Sequence, residues 1–264
     1  MPEVKKNAIS FKSFNGTDIV AGYYYTCPGM EPRCILQLSH GMCEYIGRYD
    51  DFAGYMAQKG YVVCGNDHLG HGATSSGPNG TDGYFAEKDG RKFVLQDLHE
   101  MNRLAREAYP GLPVILLGHS MGSFFVRMYD VLYPETLQAL VVSGTGGPNP
   151  LAGVGLALTE AIGRVKGRKH RSKFLNNMAF GQYLKRVDSP DTPYDWISRD
   201  KEVVARYAQD AKCTFIYPAS AFHELMAILR AVNRPQWAQK VDKRLPVALF
   251  AGDADRVGDY GRGV

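Results

Sequence analysis

The sequence predicts an α/β fold in which a mostly parallel sheet carries helices on both faces. Apolar runs at 61–64 and 114–117 alternate with longer segments whose apolar residues recur at helical spacing. Strands that are apolar throughout are typical of a sheet buried on both sides. Gly, His, Ser or Asp residues follow these runs, so polar groups are expected at the carboxyl ends of the strands, where open α/β sheets place their sites.

The chain has 264 residues, which is enough for one large domain or one domain with an insertion. Its net charge of +4 comes from one segment, because residues 164–173 hold six cations and no acid. The remaining charges nearly balance. This distribution gives no reason to expect nucleic-acid binding.

Five cysteines are present, and no pair has the spacing of a metal or redox motif. The first residues lack the apolar core of a signal peptide, and no stretch reaches the roughly 18 apolar residues of a membrane span. We therefore expect a soluble, cytoplasmic protein with reduced thiols. Nothing in the sequence calls for a metal or another cofactor.

The predicted elements follow in order along the chain. Residues 7–26 form two antiparallel strands joined at Asn15-Gly16, since Asn-Gly is a strong hairpin turn. The next strands and helices alternate, and residues 73–90 form a loop. The predicted strands are 34–39, 61–64, 114–117 and 137–143, and the predicted helices are 48–59, 91–109 and 121–133.

The alternation stops at Gly144, and the following 90 residues contain helical patterns and no clear strand. The helical segments are 151–162, 174–184, 201–209 and 219–232. A strand at 246–251 then resumes the α/β order. We therefore predict a core of residues 1–143, a helical cap of residues 144–233 and a second part of the core from 234 to 264.

Candidate chemistry centres on Gly118-His-Ser-Met-Gly122, which lies between a predicted strand and a predicted helix. In that context Gly-x-Ser-x-Gly is typical of a nucleophile elbow, a strained turn that lifts a serine off the sheet edge. Gly118 and Gly122 leave room for the turn, and Ser120 is the predicted nucleophile. The N–H of Met121 then points at the group that Ser120 attacks.

A serine nucleophile also needs a second oxyanion donor, a base and an acid that orients the base. We assign the second donor to Met42, because Gly41 lets the backbone approach closely. Asp255, after the last strand, is the predicted acid, with Asp253 as its rival. No histidine follows Asp255 in the sequence, and His223 is the single alternative base that we consider.

Four motifs give the chain a family resemblance. Residues 39–49, 67–72, 118–122 and 252–256 resemble the oxyanion loop, a strand-end loop, the elbow and the acid loop of α/β-hydrolases in the monoacylglycerol lipase and lysophospholipase group. This group overlaps the serine aminopeptidase S33 family. The resemblance implies an α/β-hydrolase fold, ester hydrolysis through an acyl-enzyme on Ser120, and Asp255 as the acid.

The chain departs from this family at its C-terminal end. Family members continue with a helix, a last strand and a loop that carries the catalytic histidine. The catalytic histidine is therefore absent from this chain, the last strand and helix are missing, and we expect a C-terminally truncated protein with impaired activity.

The expected substrate is a small acyl ester, of monoacylglycerol or lysophospholipid type. An aminopeptidase or amidase, with Glu160 or Glu224 binding the amine, is one alternative, and a non-catalytic binding protein is another.

The apolar segment 151–162 suits either an acyl chain or simple packing of the cap. The basic run 164–173 is interpreted as a solvated loop, with transient contact to a membrane surface as the alternative. The oligomeric state is left open.

Overall fold

The computed structural model describes residues 3–263, and a seven-stranded sheet forms its centre. The strand order is β1-β2-β4-β3-β5-β6-β7, with β1 and β2 antiparallel to their neighbours and the other strands parallel. The strands are β1 Lys5–Lys12, β2 Ile19–Thr26, β3 Cys34–Ser39, β4 Tyr61–Asn66, β5 Val114–His119, β6 Ala139–Ser143 and β7 Val247–Phe250. The predicted fold class, including the antiparallel start, is confirmed.

Helices cover both faces of the sheet. Five of the helices described below lie in the segment between β6 and β7. The helices are α1 Asp50–Ala57, α2 Gly72–Ser75, α3 Gly90–Ala108, α4 Met121–Leu132, α5 Ala152–Lys166, α6 Lys173–Phe180, α7 Lys201–Gln209, α8 Ala219–Val232 and α9 Pro235–Ala238. None of these helices is long and apolar enough to cross a membrane, as far as residues 3–263 are concerned.

Two apolar clusters hold the helices on the sheet. On one face, buried side chains of α3, α4 and α8, such as Leu98, Phe125 and Ile228, pack in one cluster. On the other face, Ala53 and Ala57 of α1 pack with buried residues of β3 and β4. Because both faces are covered, β3 is buried along its whole length. This explains why apolar residues lie on both of its faces, Ile35 on one and Leu36 and Leu38 on the other.

Helix α8 is fixed to the core by charged side chains at two places. Glu224 is 4% exposed and accepts a hydrogen bond from Arg91 of α3 at 2.6 Å. Near the end of α8, Arg127 of α4 donates to the carbonyl of Val232 at 2.6 Å and lies over the Trp237 ring. The division of the chain into a core and a cap at residues 144 and 233 stays a prediction.

Several predicted boundaries differ from the structure. The predicted loop 73–90 begins with the short helix α2, and the predicted helix 174–184 is interrupted after Phe180 and followed by a 3₁₀ turn at Tyr183–Arg186. Helix α5 continues to Lys166 and therefore includes the first part of the basic run. The interpretation of this run as a loop is therefore wrong for residues 164–166, although these residues are exposed to solvent, and Arg164 and Arg168 both pair with Glu160.

The turn from β5 into α4 requires a very close approach of two backbones. A Cβ atom on Gly122 would lie 2.0 Å from the carbonyl oxygen of Ser39, at the end of β3. A Cβ atom on Gly118 would lie 2.5 Å from the carbonyl oxygen of Gly122. The two glycines therefore let the first turn of α4 lie directly against the central strand.

We predict that Gly122→Ala lowers the free energy of unfolding by about 2–3 kcal/mol, because the backbone of β3 must move away. Gly153→Ala is the matched control, since a Cβ atom there meets nothing within 4 Å and the residue lies in α5. The control should be neutral or stabilise by up to about 1 kcal/mol, from helix propensity. Urea unfolding measures both, and equal effects at the two sites would contradict the prediction.

Candidate active site

Ser120 lies between β5 and α4 with a left-handed backbone, at φ 51° and ψ −119°. Its N–H donates to the carbonyl of Ser143 in β6 at 2.9 Å, and its carbonyl accepts from the N–H of Ser123 at 2.9 Å. Within residues 3–263 nothing hydrogen-bonds the Ser120 hydroxyl. The backbone is thus fixed on both sides, while the side chain projects from the turn.

The loop after β3 comes against Ser120. A Cβ atom on Gly41 would lie 3.1 Å from the Cβ atom of Ser120. The N–H of Gly41 donates to the carboxylate of Glu44, which is 8% exposed and also accepts from the Tyr49 hydroxyl at 2.7 Å. Glu44 therefore braces this loop from within its own turn.

Two backbone N–H groups near Ser120 have no acceptor among the described residues. They belong to Met42, in the loop after β3, and to Met121, the first residue of α4, where N–H groups lack intrahelical partners. Met42, Ser120 and Met121 line one cavity. The two residues that the sequence suggested as oxyanion donors are therefore brought to the serine.

Asp255 and Asp253 both follow β7, but their surroundings differ. Asp255 is half-buried, accepts from the N–H of Val257 at 2.8 Å and lines a cavity with Ser120. Asp253 is exposed and pairs with Arg199 at 2.8 Å. A Cβ atom on Gly144 would lie 3.4 Å from an Asp255 carboxylate oxygen and 3.1 Å from the His119 ring.

No histidine among the described residues hydrogen-bonds the Ser120 hydroxyl or the Asp255 carboxylate. His119, on the adjoining position, instead contacts the Ser143 hydroxyl through Nδ1 at 3.4 Å. His223 contacts the Thr159 hydroxyl at 3.1 Å, between α8 and α5, and lines neither cavity next to Ser120. The structure therefore gives His223 no geometry for the role of base.

His40, the first residue of the loop after β3, forms a buried cluster with His68 and His71. Nε2 of His40 accepts from the N–H of His68 at 2.9 Å, and the two rings lie 4.2 Å apart. Burial lowers the pKa of His68 to about 3 and that of His71 to about 4. Burial also holds the pKa of His40 well below its usual value. All three rings are neutral at neutral pH.

Two cavities of different character meet at Ser120 and Met42. The first is about 1110 Å³, and we call it the polar cavity because, beside apolar side chains, its wall carries charged groups of both signs, among them Glu44, Arg48, Asp188, Arg199, Asp255 and Arg256. The second is about 560 Å³ and is mainly apolar, with Phe124, Leu151, Phe180, Leu225, Met226 and Leu229 in its wall. Within the described residues, no cluster of three histidine, cysteine or carboxylate side chains is arranged to hold a metal ion.

A mostly parallel sheet with helices on both faces and a serine in a left-handed turn between strand and helix defines an α/β-hydrolase. Comparison with known families identifies the branch. The serine aminopeptidase, S33 family matches residues 30–263, so the chain belongs to this family. This confirms the resemblance seen in the sequence motifs.

Characterised relatives narrow the assignment within the family. The chain is 32% identical over 256 residues to the monoacylglycerol lipase of Mycolicibacterium smegmatis, covering 94% of this chain and 79% of that one. It is 30% identical over 242 residues to the monoglyceride lipase of Rattus norvegicus, covering 90% and 72%. A crystal structure of a carboxyl esterase from Bacillus coagulans superimposes with a TM-score of 0.90 at 32% identity, covering 98% and 83%. The chain is a monoacylglycerol-lipase-like α/β-hydrolase.

Two residues of the site were not singled out from the sequence. Glu44 lies within the 39–49 motif. An acid three residues after Gly41 is a local pattern that indicates a side chain accepting a hydrogen bond from the Gly41 N–H. Tyr217 lies in no motif, although its hydroxyl reaches His71 at 2.7 Å. It is contributed by the segment before α8, and local patterns do not reveal such a long-range contact.

We predict that acid destabilises the protein through His68. Below pH 6.5 the unfolded chain binds a proton on this ring while the folded chain does not, so stability is constant above that pH and falls below it. Between pH 6.5 and 5 the free energy of unfolding of the native protein should fall more steeply than that of His68→Gln, by about 1 kcal/mol per pH unit on average, because the unfolded ring is only half protonated at pH 6.5. Urea unfolding across this range measures both, and parallel curves would contradict the prediction.

Proposed function

We propose that this protein is a serine ester hydrolase acting on monoacyl lipids such as monoacylglycerol or lysophospholipid, with Ser120 as nucleophile. One observation carries the proposal. Ser120 lies where a cavity with many charged residues in its wall meets a smaller cavity with few of them, beside two N–H groups that have no acceptor among the described residues. Such a site suits an ester whose acyl chain is apolar and whose alcohol is polar.

In the proposed reaction the Ser120 oxygen attacks the ester carbon, and the carbonyl oxygen gains the negative charge. The N–H groups of Met42 and Met121 stabilise this oxyanion, while the Gly118–Gly122 turn holds the nucleophile in place. The alcohol leaves with a proton and the acyl group stays on Ser120. Water then attacks the acyl-enzyme, which releases the fatty acid and restores the hydroxyl.

The proton of Ser120 needs an acceptor, and the described residues supply none. Asp255 lies at the sheet edge where an acid would orient an imidazole base, with one oxygen held by the Val257 N–H. Without a base, oxyanion stabilisation and binding alone give a small part of the full rate. We therefore propose that the 264-residue chain acylates slowly.

Free imidazole should restore acylation of Ser120, because the polar cavity of about 1110 Å³ is open to a molecule of that size. With a p-nitrophenyl ester, added imidazole should raise acyl incorporation, measured by mass spectrometry, at least tenfold. Ser120→Ala is the control for hydrolysis by imidazole itself. Acylation of the control at the same rate, or of another residue, would refute Ser120 as nucleophile.

The apolar cavity is the proposed acyl site. Its wall includes Gly155 of α5, where a Cβ atom would lie 3.5 Å from Met226. Gly153 lies two residues earlier on the exposed side of the same helix. This pair allows the cavity to be filled without changing the helix elsewhere.

We predict that Gly155→Leu weakens binding of long-chain glycerol ethers, which mimic monoacylglycerol and are not hydrolysed. Affinity for a 16-carbon ether should fall about tenfold or more, while a 6-carbon ether should bind nearly as before, because only the long chain needs the filled volume. Calorimetry measures both. Gly153→Leu should leave both affinities unchanged, and an equal loss for the two chain lengths would argue against this acyl site.

The amidase alternative loses the support that the sequence offered. Glu224 is paired with Arg91, and Glu160 is paired with Arg164 and Arg168. Neither glutamate lines a cavity next to Ser120. The acids proposed for binding a substrate amine are thus engaged elsewhere.

Contact with a membrane surface and a cytoplasmic location stay predictions. In favour of the first, Leu151 just before α5, Val165 of α5 and Phe174 of α6 are more than half exposed, and the last two lie next in the chain to Lys166 and Lys173. Arg168 and Arg171 contribute less to such a membrane contact. Arg168 pairs with Glu160, and Arg171 donates to the backbone carbonyls of Asp82 and Ile216.

A further inference from the structure

The loop after β4 places a neutral imidazole under the loop that carries Met42. Nδ1 of His71 lies 2.9 Å from the carbonyl of Leu69, which requires a proton on Nδ1 and leaves Nε2 as an acceptor. The N–H of Cys43 donates to this Nε2 at 3.3 Å. Burial lowers the pKa of His71 to about 4, so the ring stays an acceptor at neutral pH.

The segment that leads into α8 reaches the same atom. The hydroxyl of Tyr217, whose side chain is fully buried, lies 2.7 Å from Nε2 of His71. It also lies 3.3 Å from the sulfur of Met121, the residue after the nucleophile. One hydroxyl thus contacts the side chain of Met121 directly and reaches the loop of Met42 through His71.

These contacts hold the backbone of Cys43. Its φ of 52° is left-handed, a conformation that a non-glycine residue adopts at a cost of about 1–3 kcal/mol unless its surroundings hold it. Here His71 accepts from its N–H, and the carbonyl of Phe215 accepts from its thiol at 3.4 Å. Phe215 in turn stacks on the Tyr217 ring. The backbone directly after Met42 is therefore held from two other parts of the chain.

We propose that His71 and Tyr217 are positioning residues that hold the Met42–Cys43 backbone in its strained conformation and so aim the Met42 N–H at Ser120. The inference rests on the proposed function only in the role of that N–H as an oxyanion donor. It also means that the segment before α8 must be seated for the donor to be in place.

Hydrogen exchange of the segment 39–46 tests the positioning role without requiring turnover. In Tyr217→Phe and His71→Leu this segment should exchange about tenfold faster, as expected from the loss of one buried hydrogen bond. His71→Gln offers a side-chain oxygen as the acceptor and should restore much of the protection. Tyr24→Phe, at a buried tyrosine of β2, is the matched control and should change nothing in this segment.

Imidazole-supported acylation provides the second readout. Tyr217→Phe should lower the rate of Ser120 acylation about tenfold at saturating ester, with little change in the ester concentration needed for half-saturation. Unchanged exchange at 39–46 in both variants, or an equal rise across β5 and the other core strands, would overturn the inference. Faster exchange at 39–46 together with no acylation of the unmodified chain would instead reject the proposed function and leave the positioning role standing.

Discussion

The left-handed turn at Ser120 is the constraint on which the rest of the site depends. A serine at φ 51° is stable only when its neighbours hold it, and the cost of such a backbone is about 1–3 kcal/mol. Here β6 holds the N–H of Ser120, Ser123 holds its carbonyl, and Gly122 allows α4 to contact the end of β3. Contacts with the sheet stabilise this strained backbone. As a result, Ser120 and Met121 line the same cavity.

A second strained residue, Cys43, faces the first across the site. Both turns follow parallel strands that are neighbours in the sheet, β3 and β5, so their ends are brought together by the sheet itself. The difference lies in what stabilises them. Ser120 is held by backbone groups of the sheet and α4, whereas Cys43 is held by His71 and by the segment that leads into α8.

Sequence patterns predicted the parts of the site whose causes are local. Gly118 and Gly122 are required by a turn of five residues. The spacing of the apolar residues before and after this turn predicts the strand and the helix. The contacts made by residues 144–233 were not predictable in this way. Tyr217 and Arg127 act through contacts with residues far away in the chain, and the pairing of Arg164 with Glu160 becomes visible only once α5 is known to extend through both. Helix 174–184 was predicted too long because spacing alone does not show where a helix end is stabilised.

The strand β7 has a consequence for how this protein behaves in solution. Among the described strands it lies at the edge of the sheet, and Val247, Leu249 and Phe250 are 42%, 53% and 60% exposed. An apolar edge with open backbone groups is a template onto which another strand can add. Association through this edge would tie stability to mass action, so that the unfolding midpoint would shift with protein concentration. Because β7 leads directly to Asp255, a strand bound there would also order one wall of the polar cavity.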